Sequence, residues 1–255
     1  MSMIVNAACG CFLGNGNNEN EDNFYFNKKR LQVPNQGLKK PLKFHGNTDE
    51  ALLFAVFDGM GGASMGERAA EIAGRCFSEE YKKLEELAIS GKEFLYQCCH
   101  RANVEINQYR TAEQLGTMGT TVAAVYCNDG ETVACNVGDS KIFRIRGQEM
   151  LQISTDHTDE RILKSIGIQK KPVLLQYLGH HDEQMPLDPY IAKGELVVAD
   201  VYVLCSDGVT DMLSMEELYE CCCTGEPLEA VQKILGRVQQ KHGTDNATVI
   251  VIKIY

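Results

Sequence analysis

Leu52-Leu53-Phe54-Ala55-Val56-Phe57 runs straight into Asp58-Gly59, and Val201-Tyr202-Val203-Leu204-Cys205-Ser206 runs straight into Asp207-Gly208. Each run is short and apolar, as expected of a strand buried on both faces. A carboxylate at the end of such a strand is costly to desolvate unless a cation or a hydrogen-bond network receives it. Two such ends predict a shared site for a multivalent cation. Asn128-Asp129-Gly130 is the internal control: it sits between two alternating runs and reads as a hairpin turn. A helix signal, rather than a second strand, follows both Asp58 and Asp207, which sets them apart from that turn.

Outward from these two strands the chain reads as mixed helix and strand. Ile4 to Cys11 is an opening strand, and a Gly/Asn-rich loop then delivers Glu21-Asp22 ahead of Asn23-Phe24-Tyr25-Phe26. Residues 27–50 are basic and turn-rich and read as loop or ragged hairpin. Ser64 and Glu67 form a capping box for a helix from Met65 to Leu87. A second helix is expected over Lys92 to Arg110, with Phe94, Cys98, Ala102 and Ile106 on one face. From Gly119 the period changes to strands at Thr120–Tyr126, Glu131–Val137, Lys141–Arg146 and Gln148–Ile153. Ser214 with Glu217 caps a short helix, Pro227 starts another that stops at Gly243, and Ala247 to Tyr255 is a final strand. Residues 159–195 are irregular and are expected to form a flap over a site. With no internal repeat and no low-complexity linker, residues 1–255 are expected to form one domain.

Bulk properties narrow the function. At 255 residues with 44% hydrophobic and 24% charged, the chain can build a sizeable core. A net charge of -10 argues against a nucleic-acid partner held through phosphates. Eleven cysteines, an odd number, and an N-terminus without a basic region and long apolar run point to the cytoplasm, reduced thiols and no membrane anchor. No Cys-x-x-Cys pair occurs, so a structural zinc site is not expected. No cysteine sits in a glycine-rich loop ending in arginine five residues on, which disfavours cysteine-based phosphate chemistry.

Taken singly, Glu21-Asp22, Asp139 in Val137-Gly138-Asp139-Ser140, and Asp245 read equally well as loop pair, turn and strand cap. Jointly with Asp58 and Asp207 they make five acidic sites at strand ends, flanked by glycines. Oxygen-only donors of this kind suit hard divalent cations such as Mg2+ or Mn2+.

Seven ordered stretches carry a resemblance: Asn20-Glu21-Asp22-Asn23, Phe54 to Gly62, Gly119-Thr120-Thr121, Asn136 to Ser140, Thr155-Asp156-His157-Thr158, Cys205-Ser206-Asp207-Gly208 and Asp245-Asn246-Ala247-Thr248. Together they resemble the metal-dependent protein phosphatase family, also called protein phosphatase 2C, and Met60 after Asp-Gly is similar to its bacterial-type members. The resemblance implies an α+β fold, a four-layer α-β-β-α sandwich of two antiparallel sheets flanked by helices. It implies hydrolysis of phosphoserine and phosphothreonine by a metal-bridging water held through Asp58, Asp207 and Asp245. Asp58 would bridge two Mn2+ or Mg2+ ions, with Asp207 and Asp245 completing one shell. Glu21 and the Gly59 carbonyl would serve the second ion, with Asp22 in support, and Asp139 with Asp207 would hold a third. Asn246 would position Asp245 or the substrate. The implied partners are phosphoprotein substrates of a serine/threonine kinase, met by a monomer.

Two departures stand against that pattern. The family's phosphate-gripping arginine, four residues before Glu21, is replaced by Asn17, and a neutral amide offers no charged fork to phosphate. Lys28, Lys29, Arg30 or Lys141 is expected to stand in. Met60 occupies a position where animal and plant members carry histidine. His157 reads as a structural hydrogen-bonder and His180-His181 as an exposed loop pair, with contact to metal or substrate as the alternative. Two other functions stay open: a catalytically weak or inactive phosphatase-fold module that binds a partner, and a metal-dependent phosphoesterase acting on small molecules.

Overall fold

The computed structural model of the chain describes residues 2–61, 65–84, 89–180 and 186–255. Six strands, in the order β10 (Glu149–Gln152), β9 (Lys141–Arg146), β12 (Val201–Cys205), β13 (Ala247–Ile254), β1 (Ile4–Phe12) and β3 (Leu42–Asn47), form one sheet. Five more, β11 (Tyr190–Glu195), β8 (Glu131–Val137), β7 (Val122–Asn128), β4 (Leu52–Phe57) and β2 (Asn23–Phe26), form a second. Every strand pairing is antiparallel. Helices α1 (Met65–Lys83) and α2 (Gly91–Ala112) cover the second sheet, and α5 (Met215–Cys222) and α6 (Pro227–Gln240) cover the first.

The two-sided burial of the apolar runs follows from this layering. In β4, Leu53, Ala55 and Phe57 point to α1 and α2, while Leu52, Phe54 and Val56 point into the space between the sheets. In β12, Tyr202 and Leu204 face the other sheet, and Val201, Val203 and Cys205 face α5 and α6. Alternation along each strand therefore feeds two cores at once, which is why the sequence shows no polar face. The result is the expected α-β-β-α sandwich.

Several expectations are met to the residue. β8 and β9 have the expected limits, Asp129 and Gly130 take φ of 45° and 76° in the β7–β8 turn, and Ser214 and Glu217 form the full capping box of α5. Others need correction. Residues 27–50 contain β3, an edge strand on β1 whose burial alternates; Leu42 and Phe44 reach the inter-sheet core, while Lys43, His45 and Gly46 hide the pattern. The run 120–126 is broken at Thr121 into β6 (Gly119–Thr120) and β7, and β6 pairs with a two-residue β5 (Gly59–Met60). Asp58 is therefore followed first by β5 and only then by α1. Ser64 lies outside the described residues, and Glu67 accepts a hydrogen bond from the Asn35 N–H at 2.5 Å. The end of the expected first helix, 85–88, also lies outside them. At the end of α6 the left-handed residue is His242, φ 58°, not Gly243.

The irregular segment is shorter than expected. Residues 190–195 are β11, paired along β8 at the sheet edge. The excursion itself leaves at Thr158, carries α3 (Glu160–Ser165), and returns at Leu174, where a Thr158–Leu174 bridge and a Leu175 N–H to His157 carbonyl bond of 2.8 Å close its base.

Candidate active site

Strand register brings the acids together. Asn23 pairs with Phe57, so the next residues outward, Asp22 and Asp58, leave the same end of the β2–β4 pair. Cys205 pairs with both Lys141 and Val249, so Asp207, Asp139 and the Asp245-Asn246 segment leave that end of the other sheet. One rim of the sandwich thus collects residues far apart in sequence.

Each acid is held by its own backbone and neighbours. The Asp58 N–H donates to the Thr121 hydroxyl at 3.1 Å, and its carbonyl accepts from the Thr120 hydroxyl and the Thr121 N–H, both at 2.9 Å. The Thr121 hydroxyl also bonds Ser140 at 2.6 Å, tying this clamp to the turn that carries Asp139. That turn is held from behind by His157: its Nδ1 accepts from the Gly138 N–H at 3.1 Å, and its N–H donates to the Gly138 carbonyl at 3.0 Å. His157 is a structural hydrogen-bonder, as expected, and burial holds its pKa below the usual imidazole value. Thr121→Val keeps the shape and removes both hydroxyl contacts. Losing them should destabilise the protein by about 1–3 kcal/mol and lower kcat about tenfold at unchanged KM; an unchanged kcat would contradict the clamp.

Asp22 is buried, at 2% exposure, and its carboxylate accepts from the Ser206 hydroxyl at 2.8 Å. Asp207 opens the short helix α4 (Asp207–Thr210), and Gly208 lets that backbone approach: a Cβ there would lie 2.0 Å from the Asn246 carbonyl. Gly59 serves similarly, since a Cβ would lie 2.2 Å from the Gly66 carbonyl and 2.4 Å from the Glu21 carbonyl. Glu21 accepts from the Gly66 N–H in the first turn of α1, and its own N–H donates to Asn246 Oδ1 at 2.9 Å. Asp245 is exposed and accepts from the Asn246 N–H at 2.8 Å. Asn246 Nδ2 is buried with no hydrogen-bond partner, a donor held in reserve beside the acids.

The electrostatics follow from crowding. Burial first, then Asp22, Asp207, Asp139 and Asp245, push the Asp58 carboxyl well above the usual carboxylate range. Burial is also the main cause of the rise at Asp22, Asp139, Asp207 and Glu21, with neighbouring acids adding to it. Among the described residues, no three His, Cys, Asp or Glu converge as a finished metal cage. The carboxyls are close enough to raise one another's pKa, and the Asp58 and Asp207 side chains are hydrogen-bonded to each other. Their oxygen-only chemistry fits a hard divalent cation, whereas the orphaned Asn246 Nδ2 is a donor suited to an anion or a water.

The expected cations fare unevenly. Asn17 lies beside the rim, with its amide donating to the Thr244 carbonyl at 3.0 Å. Lys28 pairs with Glu50 at 4.0 Å and Arg30 with Glu71 at 3.0 Å, so neither is committed to the acids. Lys141 is at the site but pairs with Asp156. His180 packs edge-on against Tyr177, ring centroids 5.3 Å apart, and its carbonyl accepts from Asn107; it is half-buried rather than an exposed loop residue. His181 lies outside the described residues. Sequence reasoning missed the Thr120-Thr121 clamp as a positioning device and missed Lys171, which lines a cavity of about 350 Å3 together with Asp139 and Asp207. A larger cavity, about 580 Å3 between Tyr25, Tyr81 and Tyr126, holds none of the site acids.

A family model described as protein phosphatase 2C matches residues 41–242. The serine/threonine phosphatase Stp of Listeria innocua is 29% identical over 220 residues, covering 81% of this chain and 86% of the relative. The protein phosphatase PhpP of Streptococcus pneumoniae is 27% identical over 213 residues, covering 79% and 85%. Among solved structures, the serine/threonine phosphatase PstP of Mycobacterium tuberculosis superposes with a TM-score of 0.79 at 24% identity, covering 98% of both chains. The catalytic domain of PstP in complex with two manganese ions gives the same TM-score, 0.79, at 25% identity over 99% of both chains.

Proposed function

We infer the chemistry of this chain from one premise: it belongs to the protein phosphatase 2C family. It is a phosphoprotein phosphatase acting on phosphoserine and phosphothreonine. The finer reading concerns which residues carry the reaction, and the observation behind it is the register that delivers Asp22, Asp58, Asp139, Asp207 and Asp245 to one rim.

In this reading Asp58 with Asp207 and Asp245 would hold one divalent cation, and Asp58 with Glu21 and the Gly59 carbonyl would hold a second. Asp22 supports from the floor, and Asp139 with Asp207 offers a third, weaker position. Bound Mg2+ or Mn2+ supplies an activated water and neutralises charge on the phosphoryl oxygens. The chain's own contribution is placement: the Thr120-Thr121 clamp fixes Asp58, Ser206 fixes Asp22, and Asn246 fixes Glu21 while offering Nδ2 to the substrate phosphate. The substrates are phosphoproteins made by a serine/threonine kinase. The described cysteines are all free, which fits the cytoplasm, and among the described residues no helix is long and apolar enough to cross a membrane.

Asn17 favours the alternative of a phosphatase-fold module that binds without turning over, because its amide is engaged by Thr244 and carries no charge. Phosphopeptide hydrolysis across a Mn2+ titration, for the wild type and Asp207→Ala, separates the two. Turnover that rises with Mn2+ in the wild type and is lost in the variant supports the enzyme; a wild type no faster than the variant supports the module.

A further inference from the structure

A phosphate ester is a dianion, and the cavity beside Asp207 is poorly suited to receive one. Asp139, Asp156, Glu160, Asp207 and Asp211 line it against only two described cations, Lys141 and Lys171. Lys141 is committed: it pairs with Asp156, and its ammonium also donates to the Asp139 carbonyl at 3.4 Å. Its side chain is 21% exposed, so it is fixed in the wall rather than free to follow a ligand.

Lys171 is held more loosely. It lies on the returning arm of the 159–173 excursion, two residues before Val173, whose carbonyl accepts from the Asp159 N–H at 3.2 Å. Its ammonium is 3.7 Å from Asp211 Oδ2, with side-chain exposures of 78% and 55%. An exposed ion pair at that distance is worth little and exchanges readily for a more strongly charged partner. Lysine is also a suitable phosphate ligand, a compact point charge on a flexible stem.

We propose that Lys171 is the phosphate-binding residue of this enzyme, reaching from the flap into the acid-lined cavity to grip the phosphoryl group where Asn17 cannot. This rests on the phosphatase reading above. The fields of Asp207, first, and of Asp211, Asp245 and Asp139 hold the ammonium protonated, consistent with a cation suspended over the site. Phosphate capture thereby becomes a property of the excursion rather than of the sandwich, and the flap and the phosphoester engage together.

The test compares wild type, Lys171→Ala, Lys171→Gln and Lys171→Arg, all loaded with Mn2+. KM for p-nitrophenyl phosphate and the inhibition constant of inorganic phosphate should both rise about tenfold in the Ala and Gln variants. Their kcat should stay within about twofold, and Lys171→Arg should stay near wild type. Calorimetric titration of inorganic phosphate should report the same loss of affinity, while Mn2+ affinity is unchanged in all four proteins. A wild type with Mn2+-dependent turnover whose KM and phosphate affinity do not respond to Lys171→Ala overturns the proposal and leaves the phosphatase reading intact. A Gln variant that behaves like wild type also overturns it, since the stem and not the charge would then matter. Absence of Mn2+-dependent turnover in the wild type removes both.

Discussion

Asp58→Asn should abolish phosphopeptide hydrolysis, with a loss in kcat/KM of at least ~10³-fold, while the protein remains folded. The backbone of residue 58 is held by Thr120 and Thr121 and does not depend on the carboxylate, so an isosteric amide keeps its place. What disappears is the one charge flanked by Asp22, Asp207, Asp139 and Asp245 together. The same substitution should leave the metal-free protein at least as stable as wild type, because it removes a buried like charge from a crowded site. Activity assays in Mn2+ and thermal melts in chelator check the two halves. Residual activity within about tenfold of wild type would mean the cations are held elsewhere.

The metal-free protein should lose stability as pH rises from about 5 to about 8, and saturating Mn2+ should cancel that loss. The sign follows from the direction of the shifts. Asp207 is pushed up to about 6 and Asp22 to about 7, and Asp58, Asp139 and Glu21 are also raised, all mainly by burial. A carboxyl whose folded pKa exceeds its unfolded value binds more protons when folded. Its stabilising contribution is full below the unfolded pKa and is lost as pH rises through the folded one. His157, whose pKa is lowered by burial, works in the opposite direction below its ordinary value. The acids outnumber it, so the net slope should be negative, amounting to a few kcal/mol across the window. Chelator-treated melts at stepped pH read this directly, and Asp22→Asn should flatten the slope without touching the His157 contribution. A slope of opposite sign would mean the acids are already compensated by groups within the fold.

The strands that decide the fold were legible because burial on both faces writes an uninterrupted apolar run. The turn at Asp129-Gly130 was legible because left-handed residues are chemically restricted. β3 was not, because an edge strand buries only alternate residues and here interleaves them with Lys43, His45 and Gly46. β5 and β6 escaped notice because two-residue pairings have no periodicity at all; their signal is the pairing of Gly59 with Thr120 and of Met60 with Gly119, which exists only in three dimensions. Asp58 and Asp207 were legible singly as strand-end acids, and their company with Glu21, Asp22, Asp139 and Asp245 through the order of short motifs. Lys171 had no local signature, since a lysine in an irregular segment reads as solvated until the return of the chain at Leu174 places it over Asp207 and Asp211.

If these rim acids together hold divalent cations, calorimetric titration of the metal-free protein with Mn2+ near pH 6 should show saturable binding of at least two ions. Proton release should be visible as a dependence on buffer ionisation enthalpy, because carboxyls with raised pKa must give up protons to bind. Asp58→Asn should lose most of that binding and of the released protons. Binding in the variant equal to wild type, or no saturable binding in the wild type, would contradict that role for the rim acids.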